Sequence, residues 1–367
     1  LILFFHPDSI DWVMTPGTEM RMSMGTVKTE RHVTSKHHFH TVSTVIVILL
    51  GSLIINGCDS PQTPPVYRVG ILNGFAPFSS ITEGFKAKMT DLGYQEGKQI
   101  IYDVRNVIGG SAEEARVLEE FVANRVDLIF AFPTGSAIAA KAASRGTGIP
   151  TVFAMVNLEG TQLVENIRQP GQHITGVRSP GPEIAIKRLE FLLEVAPRAR
   201  RVYTTYNTNY PANQPTIEVL RPMASSLGVT LIEAPVTSVE GIQADLSMRS
   251  AADDIGLDGI LIISDDLSQS PAGWPLISQF AEKHKLPVIG GATIMIKTGA
   301  VLSYVPDYIE SGKLAAITAN KILKGTPAGT IPVATAVMSL RINYQRAQEL
   351  GLTVPRSLLS LATEIIR

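Results

Sequence analysis

Residues 127–155 read DLIFAFPTGSAIAAKAASRGTGIPTVFAM, and the fold follows from how that stretch is punctuated. Leu128–Phe132 is a short, unbroken apolar run, and Thr151–Met155 is another. Such a run, without polar alternation, marks a strand covered on both faces, as parallel sheets require. Between the two, Pro133-Thr134-Gly135-Ser136 opens a helix. A strand, a helix and a second buried strand make a βαβ unit.

The same alternation extends in both directions. Upstream lie Tyr67–Leu72 and Ile100–Val104; downstream lies Ile174–Val177. A second set comprises Val202–Tyr206, Thr230–Glu233, Gly259–Ile263, Pro287–Gly290 and Val301–Tyr304. Helical patterns fill the gaps at Ser111–Asn124, Pro182–Val195, Pro215–Leu227 and Tyr308–Leu323. In the second of these Ile186, Leu189 and Leu193 share one face. Gly93 and Gly228 are placed to end helices in the left-handed region. The expected fold class is α/β, with two doubly wound parallel-sheet lobes of about five strands each and a ligand cleft between them. The turn-rich stretch Gly176–Pro182 is the expected hinge, and short hinges favour a clamshell.

Composition narrows the function. Of 367 residues, 18% are charged and 45% hydrophobic, too apolar for a disordered chain. Lys plus Arg number 32 against 33 Asp plus Glu, so no basic excess exists to neutralise a phosphate backbone, and nucleic acid is not an expected partner. With Cys58 as the single cysteine, a disulfide framework and a Cys-rich metal site are excluded.

The first 57 residues read as a leader. Residues 1–19 look like untranslated upstream sequence, with Met20, Met22 and Met24 as starts. Lys28, Arg31 and Lys36 form a basic n-region, and Val42–Ile55 is an uncharged h-region too short to span a bilayer comfortably. Ile55-Asn56-Gly57-Cys58 then resembles a bacterial lipoprotein lipobox, which implies cleavage before Cys58 and its lipidation. The alternative is an uncleaved short anchor with Cys58 incidental. Residues 58–65 read as a lipidated, Pro-rich tether. The cluster His37, His38 and His40 falls within the leader, as does the myristoylation-like Met24-Gly25, and neither is read as functional.

In open α/β sheets the ligand sits beyond the carboxyl ends of the strands. That rule selects Asn73, Phe75 and Phe78 after the first strand and Thr134, Gly135 and Ser136 after the third. It adds Asn157 after the fourth, Tyr206 and Asn207 in the second lobe, then Ser264, Asp265 and Asp266. Free amides at Thr134–Ser136 could hold a carboxylate; equally, those hydroxyls could cap the helix. Asp265 is the expected partner of a ligand ammonium, whereas Asp266 could as well be a solvated surface acid. Phe75 and Tyr206 are read as aromatic walls, and Phe78 as core. No GxGxxG, Walker, GxSxG or HExxH pattern occurs, so neither enzymatic activity, cofactor nor metal is expected.

Longer-range order carries a resemblance. Gly70-Ile71-Leu72, Glu83-Gly84-Phe85, Leu92-Gly93-Tyr94, Gly148-Ile149-Pro150-Thr151-Val152-Phe153-Ala154 and Ile174-Thr175-Gly176-Val177 occur in series. Ala319-Asn320-Lys321-Ile322-Leu323-Lys324-Gly325 and Leu350-Gly351-Leu352-Thr353-Val354-Pro355 follow. In this order they resemble the ABC transporter substrate-binding lipoproteins, which have the type I periplasmic-binding fold and some of which bind aromatic or other amino acids. The resemblance implies an N-terminal lobe of 66–177 plus 306–329 and a C-terminal lobe of 178–305 plus 330–367. It implies a monomeric, exported, membrane-anchored lipoprotein that passes a small polar solute, an amino acid or related compound, to an ABC permease. A lipid-anchored sensor for a membrane kinase is the alternative. The chain departs from the family form at Val156-Asn157-Leu158, Ser264-Asp265-Asp266 and Gly290–Thr293, all at the expected cleft.

Overall fold

The structure, a computed structural model, describes residues 65–367. Cys58, the leader and nearly all of the tether lie outside the described residues. Among those described, no helix is long and apolar enough to cross a membrane.

The strands are β1 (Tyr67–Asn73), β2 (Ile100–Asn106), β3 (Leu128–Phe132), β4 (Thr151–Val156), β5 (Ile174–Arg178), β6 (Arg201–Asn207), β7 (Thr230–Val236), β8 (Gly259–Leu261), β9 (Val288–Gly290), β10 (Leu302–Pro306), β11 (Ala334–Thr335), β12 (Met338–Asn343) and β13 (Glu364–Ile366). The principal helices are α1 (Ser79–Asp91), α2 (Ala112–Ala123), α3 (Thr134–Ala143), α4 (Gly181–Val195), α5 (Asn213–Ser226), α6 (Val239–Ser250), α7 (Gly273–Lys283) and α8 (Tyr308–Leu323). They build two sheets, ordered β11-β5-β4-β3-β1-β2 and β13-β12-β10-β9-β8-β6-β7. In each sheet the strand order reverses once near the middle, between β1 and β3 and between β6 and β8. Those reversals are the switch points at which open α/β sheets bind ligands.

The central strands are apolar throughout because both faces are covered: every residue of β3 is buried. The expectation of two-sided burial fails at the edges, β2 and β7, where one residue in each strand is buried and the rest are partly or fully exposed. Two further expectations are corrected. The sheets hold six and seven strands rather than about five each, since β11, β12 and β13 are too short or too polar to register as buried runs. The second sheet is also not wholly parallel: β12 runs antiparallel to β10.

The chain crosses between the sheets after Arg178, after Pro306 and after Thr335. The last of these differs from the expected return at residue 330. β11 adds parallel to β5, with Thr335 opposite Arg178 and Ala336 N donating to Arg178 O at 2.9 Å. That backbone pairing keeps residues 330–335 with the first sheet. Arg178 forks at the crossover, its guanidinium reaching Thr335, Glu159 and Glu183 at 3.2, 3.4 and 3.3 Å. One residue thereby ties two crossovers to an acid on each side of the hinge.

Helix α8 returns to the first lobe and packs on α1 with the backbones almost touching. A Cβ on Gly312 would lie 2.0 Å from Ile81 O, and one on Gly84 would lie 2.1 Å from Ile309 O. Glycine is required at both positions by close approach. The start of α8 then sets Tyr308 against Phe78, ring centroids 4.9 Å apart, at the edge of the cleft. Gly312→Ala is expected to destabilise the fold by about 1–3 kcal/mol through overpacking. Urea unfolding should give a lower midpoint at unchanged slope.

Candidate functional site

A cavity of about 110 Å³ opens at the carboxyl ends of both sheets. Phe75, Phe78, Pro133, Met155 and Asn157 line it from the first lobe. Arg188, Tyr210, Ser264, Asp265, Asp266, Gln269 and Gly291 line it from the second. Its size suits one small solute.

Its chemistry centres on Arg188, which the sequence reading missed. This side chain is 1% exposed, the largest fully buried one among the described residues. Nε donates to Tyr304 O at 2.9 Å, Nη1 to Ile262 O at 2.8 Å and Nη2 to Gly291 O at 3.3 Å. The three carbonyls lie on or just beyond β10, β8 and β9. No carboxylate pairs with Arg188 among the described residues. Of a guanidinium's five N–H donors, these bonds use three and leave two. Burial pushes its pKa down to about 10, so it stays charged at neutral pH. A signal for it existed: Ile184, Arg188 and Leu192 fall on one stripe of α4, and the arginine interrupts buried apolar neighbours.

The two adjacent acids have different roles from those expected. Asp265 is buried, and its carboxylate is already satisfied: Oδ1 accepts from Asn207 N at 2.7 Å and Asn213 Nδ2 at 2.6 Å, and Oδ2 from Ser268 N at 2.6 Å. It ties the end of β6 to the start of α5 and to its own loop, which leaves it little capacity for a ligand ammonium. Among side chains of the described residues, Asp266 accepts from Asn207 Nδ2, at 3.0 and 3.2 Å, and the backbone amides of its own loop add to this. Its side chain is exposed, yet the surrounding protein strips enough water to raise its pKa, and the charge of Asp265 raises it further. Asp266 is therefore the available carboxylate, where the sequence favoured Asp265.

Other candidates separate into wall and frame. Phe75 lines the cavity, its ring edge-on to Phe78 at 4.9 Å. Phe78 both lines the cavity and packs against the first-lobe core. Asn73 is fully buried behind them: Oδ1 accepts from Phe75 N at 3.0 Å and Nδ2 donates to Asn106 at 3.0 Å, so it shapes the turn. Thr134 Oγ1 accepts from Asn157 N at 3.1 Å, and Ser136 Oγ donates to the Glu114 carboxylate. Neither hydroxyl caps α3. Gly135 is exposed and does not line the cavity. The Thr134–Ser136 turn is thus scaffold, and the cation that lines the cavity is Arg188.

Tyr206 points away from the cleft. Its ring joins the second-lobe core, and its hydroxyl donates to Glu233 Oε2 at 2.9 Å. Alternation along β6 sends Asn207 the other way, where its amide positions both acids. Asn157 is 5% exposed, and its Oδ1 has no hydrogen-bond donor among the described residues. A buried carbonyl of that kind ordinarily has a partner. Tyr210 is set beside Thr134 of the opposite lobe, and burial pushes its phenol up to about 12.

The arrangement is one cavity lined by a buried cation, an exposed carboxylate, an unsatisfied carbonyl and aromatic rings. No cluster able to hold a metal occurs among the described residues. A "Tyrosine-binding protein" of Clostridioides difficile is 28% identical over 256 residues, 69% of this chain and 71% of that protein. The ABC domain crystallised with L-Trp from Streptococcus pneumonia superimposes with a TM-score of 0.73 at 25% identity, over 82% of this chain and 100% of that one. A conserved domain protein of Vibrio cholerae superimposes with a TM-score of 0.71 at 26% identity, over 83% and 100%. The sequence profile of the family described as ABC transporter substrate binding protein matches residues 76–366. This chain therefore belongs to the ABC transporter substrate-binding protein family and has its type I periplasmic-binding fold.

Proposed function

We propose that the protein is an exported, lipid-anchored receptor that captures a free amino acid and delivers it to an ABC importer. The observation that carries this reading is Arg188: a fully buried guanidinium with two unused donors and no acid partner among the described residues, lining a cavity with Asp266 and Asn157. A ligand carboxylate would pair with the cation. The ligand's ammonium would meet the Asp266 carboxylate and the Asn157 carbonyl. A zwitterion satisfies all three groups and neutralises both charges at once, whereas a sugar's hydroxyls hydrogen-bond but neutralise neither charge and a simple anion answers Arg188 alone. Phe75 and Phe78 give its side chain an aromatic wall. The named relatives bind tyrosine and L-Trp, which supports the amino-acid class.

Delivery follows from closure. The polar groups belong to both lobes, so a bound zwitterion stabilises the closed form about the crossovers at Arg178, Pro306 and Thr335, and occupancy becomes a shape the permease can read. The anchor is Cys58, with residues 58–65 as tether. Two acyl chains suffice for stable attachment where one is marginal.

Arg188→Met, which keeps length and apolar packing, is expected to weaken amino-acid binding by about 2–5 kcal/mol, or roughly 30-fold to several thousand-fold. Titration calorimetry on a variant with wild-type circular dichroism checks this; affinity within threefold of wild type contradicts the carboxylate assignment. Asp266→Asn should lose only about tenfold, because solvent screens the group.

The raised pKa of Asp266 fixes the sign of a pH effect. The ammonium interacts with the ionised form, so affinity is full above that pKa and falls as pH drops through it, beginning above the ordinary aspartate range. In Asp266→Asn that acid limb should be absent. For the anchor, Cys58→Ser should move the protein from the detergent phase to the aqueous phase; equal partitioning of both would contradict lipidation.

A further inference from the structure

Met155 stands in β4 with φ +53. A residue with a Cβ rarely adopts this left-handed conformation, and β-strands almost never contain it. Four other non-glycine residues among those described have positive φ: Arg125, Gln162, Gln172 and Lys285. All four lie in turns or loops. Met155 is the one within a strand, and the one that lines the cavity.

The strain has a visible effect. β4 pairs with β5 in register from Thr151↔Ile174 to Phe153↔Gly176 and then resumes at Val156↔Arg178. Ala154 and Met155 therefore oppose Val177 alone, which is a bulge. Gly176 permits it, since a Cβ there would lie 2.2 Å from Phe153 O. In a regular strand Ala154 and Met155 would point to opposite faces. Here Val152, Ala154 and Met155 all go to the face that carries Phe78, while Phe153 and Val156 go to the other. Without the bulge the Met155 side chain would enter the core beside Phe153. With it, the thioether is turned into the cleft, where it stays half-buried. Strained residues persist chiefly where function uses the geometry they give.

We propose that Met155 is the specificity-determining residue for the ligand's side chain: the bulge sets a polarizable thioether against the apolar or aromatic group of the bound amino acid. This rests on the amino-acid reading above and adds what selects among amino acids. A thioether is unbranched and soft, and its sulfur makes favourable contacts with aromatic rings. It favours large apolar side chains over small or charged ones and adds nothing to the recognition of the ammonium and carboxylate that all amino acids share.

The test uses calorimetry of the purified protein with L-tryptophan, L-tyrosine, L-leucine and L-alanine, together with the melting temperature without ligand. Wild type, Met155→Gly and Met155→Leu are compared. Glycine adopts the required φ freely, so Met155→Gly should melt at the wild-type temperature or a few degrees above it. It should bind the large apolar amino acids at least tenfold more weakly and alanine within threefold of wild type. Met155→Leu, of similar volume, should restore large-ligand affinity to within threefold. Met155→Gly binding every amino acid as wild type does would overturn this proposal and leave the proposed function standing. Equal losses for all four, with a lower melting temperature, would also overturn it, by making Met155 a structural residue. Wild-type protein that binds none of the four would overturn the proposed function and this proposal with it.

Discussion

A guanidinium held out of water without an acid beside it constrains the whole second lobe. The idealised transfer of such an ion into a low-dielectric interior is on the order of 20 kcal/mol, and several kcal/mol remain after relaxation. Arg188 offsets part of this by donating to the carbonyls of Ile262, Gly291 and Tyr304. Three strand ends must converge on one point for that to happen. They do so because β8, β9 and β10 are adjacent and parallel, so their carboxyl ends emerge together. β8 ends at Leu261, two residues before the apolar run does; Ile262 N still donates to Ile289 O at 3.1 Å, and Ile262 O faces the guanidinium. Carbonyl dipoles do not neutralise the charge. A ligand carboxylate would, and it would do so in the low-dielectric site where such a pair is strongest.

The frame around that charge is built to leave few groups for the ligand. Asp265, Asn207, Asn73, Thr134 and Ser136 are all committed to protein partners. They hold loops in place so that Asp266, Asn157 and Phe75 face the cavity. Preorganisation of this kind lowers the ordering cost of binding. The hinge follows the same pattern, with Arg178 placed where the first and third crossovers meet. The site thus combines a polar shell held by hydrogen bonds within each lobe with crossovers tied together by Arg178.

Much of the fold was legible because burial on both faces leaves an unmistakable mark, as in β3 and β4. The edges and the C-terminal strands were not, since β11 is two residues long, β13 is three, and β12 mixes polar residues with apolar ones. Strand-end logic found the right loops but not the right atoms. Tyr206 and Asn207 are neighbours in β6 and point oppositely, and Asp265 and Asp266 are neighbours in a loop whose hydrogen bonds decide which is free. No spacing rule separates such pairs. Arg188 was missed because strand-end reasoning looks at loops, whereas this residue reaches the cleft from the second turn of a helix. Its position in an apolar stripe was the available clue. Met155 left no mark, because a bulge is a property of two strands and not of one.

The central claim is that the cavity reads both charges of a zwitterion, with Arg188 on the carboxylate. Competition calorimetry with L-tryptophan, tryptamine and indole-3-propionate tests it directly, since the three share a ring and differ in which charged group is present. The account predicts that the amino acid binds, that tryptamine binds at least about thirtyfold more weakly, the loss expected for one partner of a desolvated pair, and that indole-3-propionate, which lacks only the partner of the solvent-screened Asp266, binds about tenfold more weakly. Tryptamine binding as tightly as L-tryptophan would contradict it.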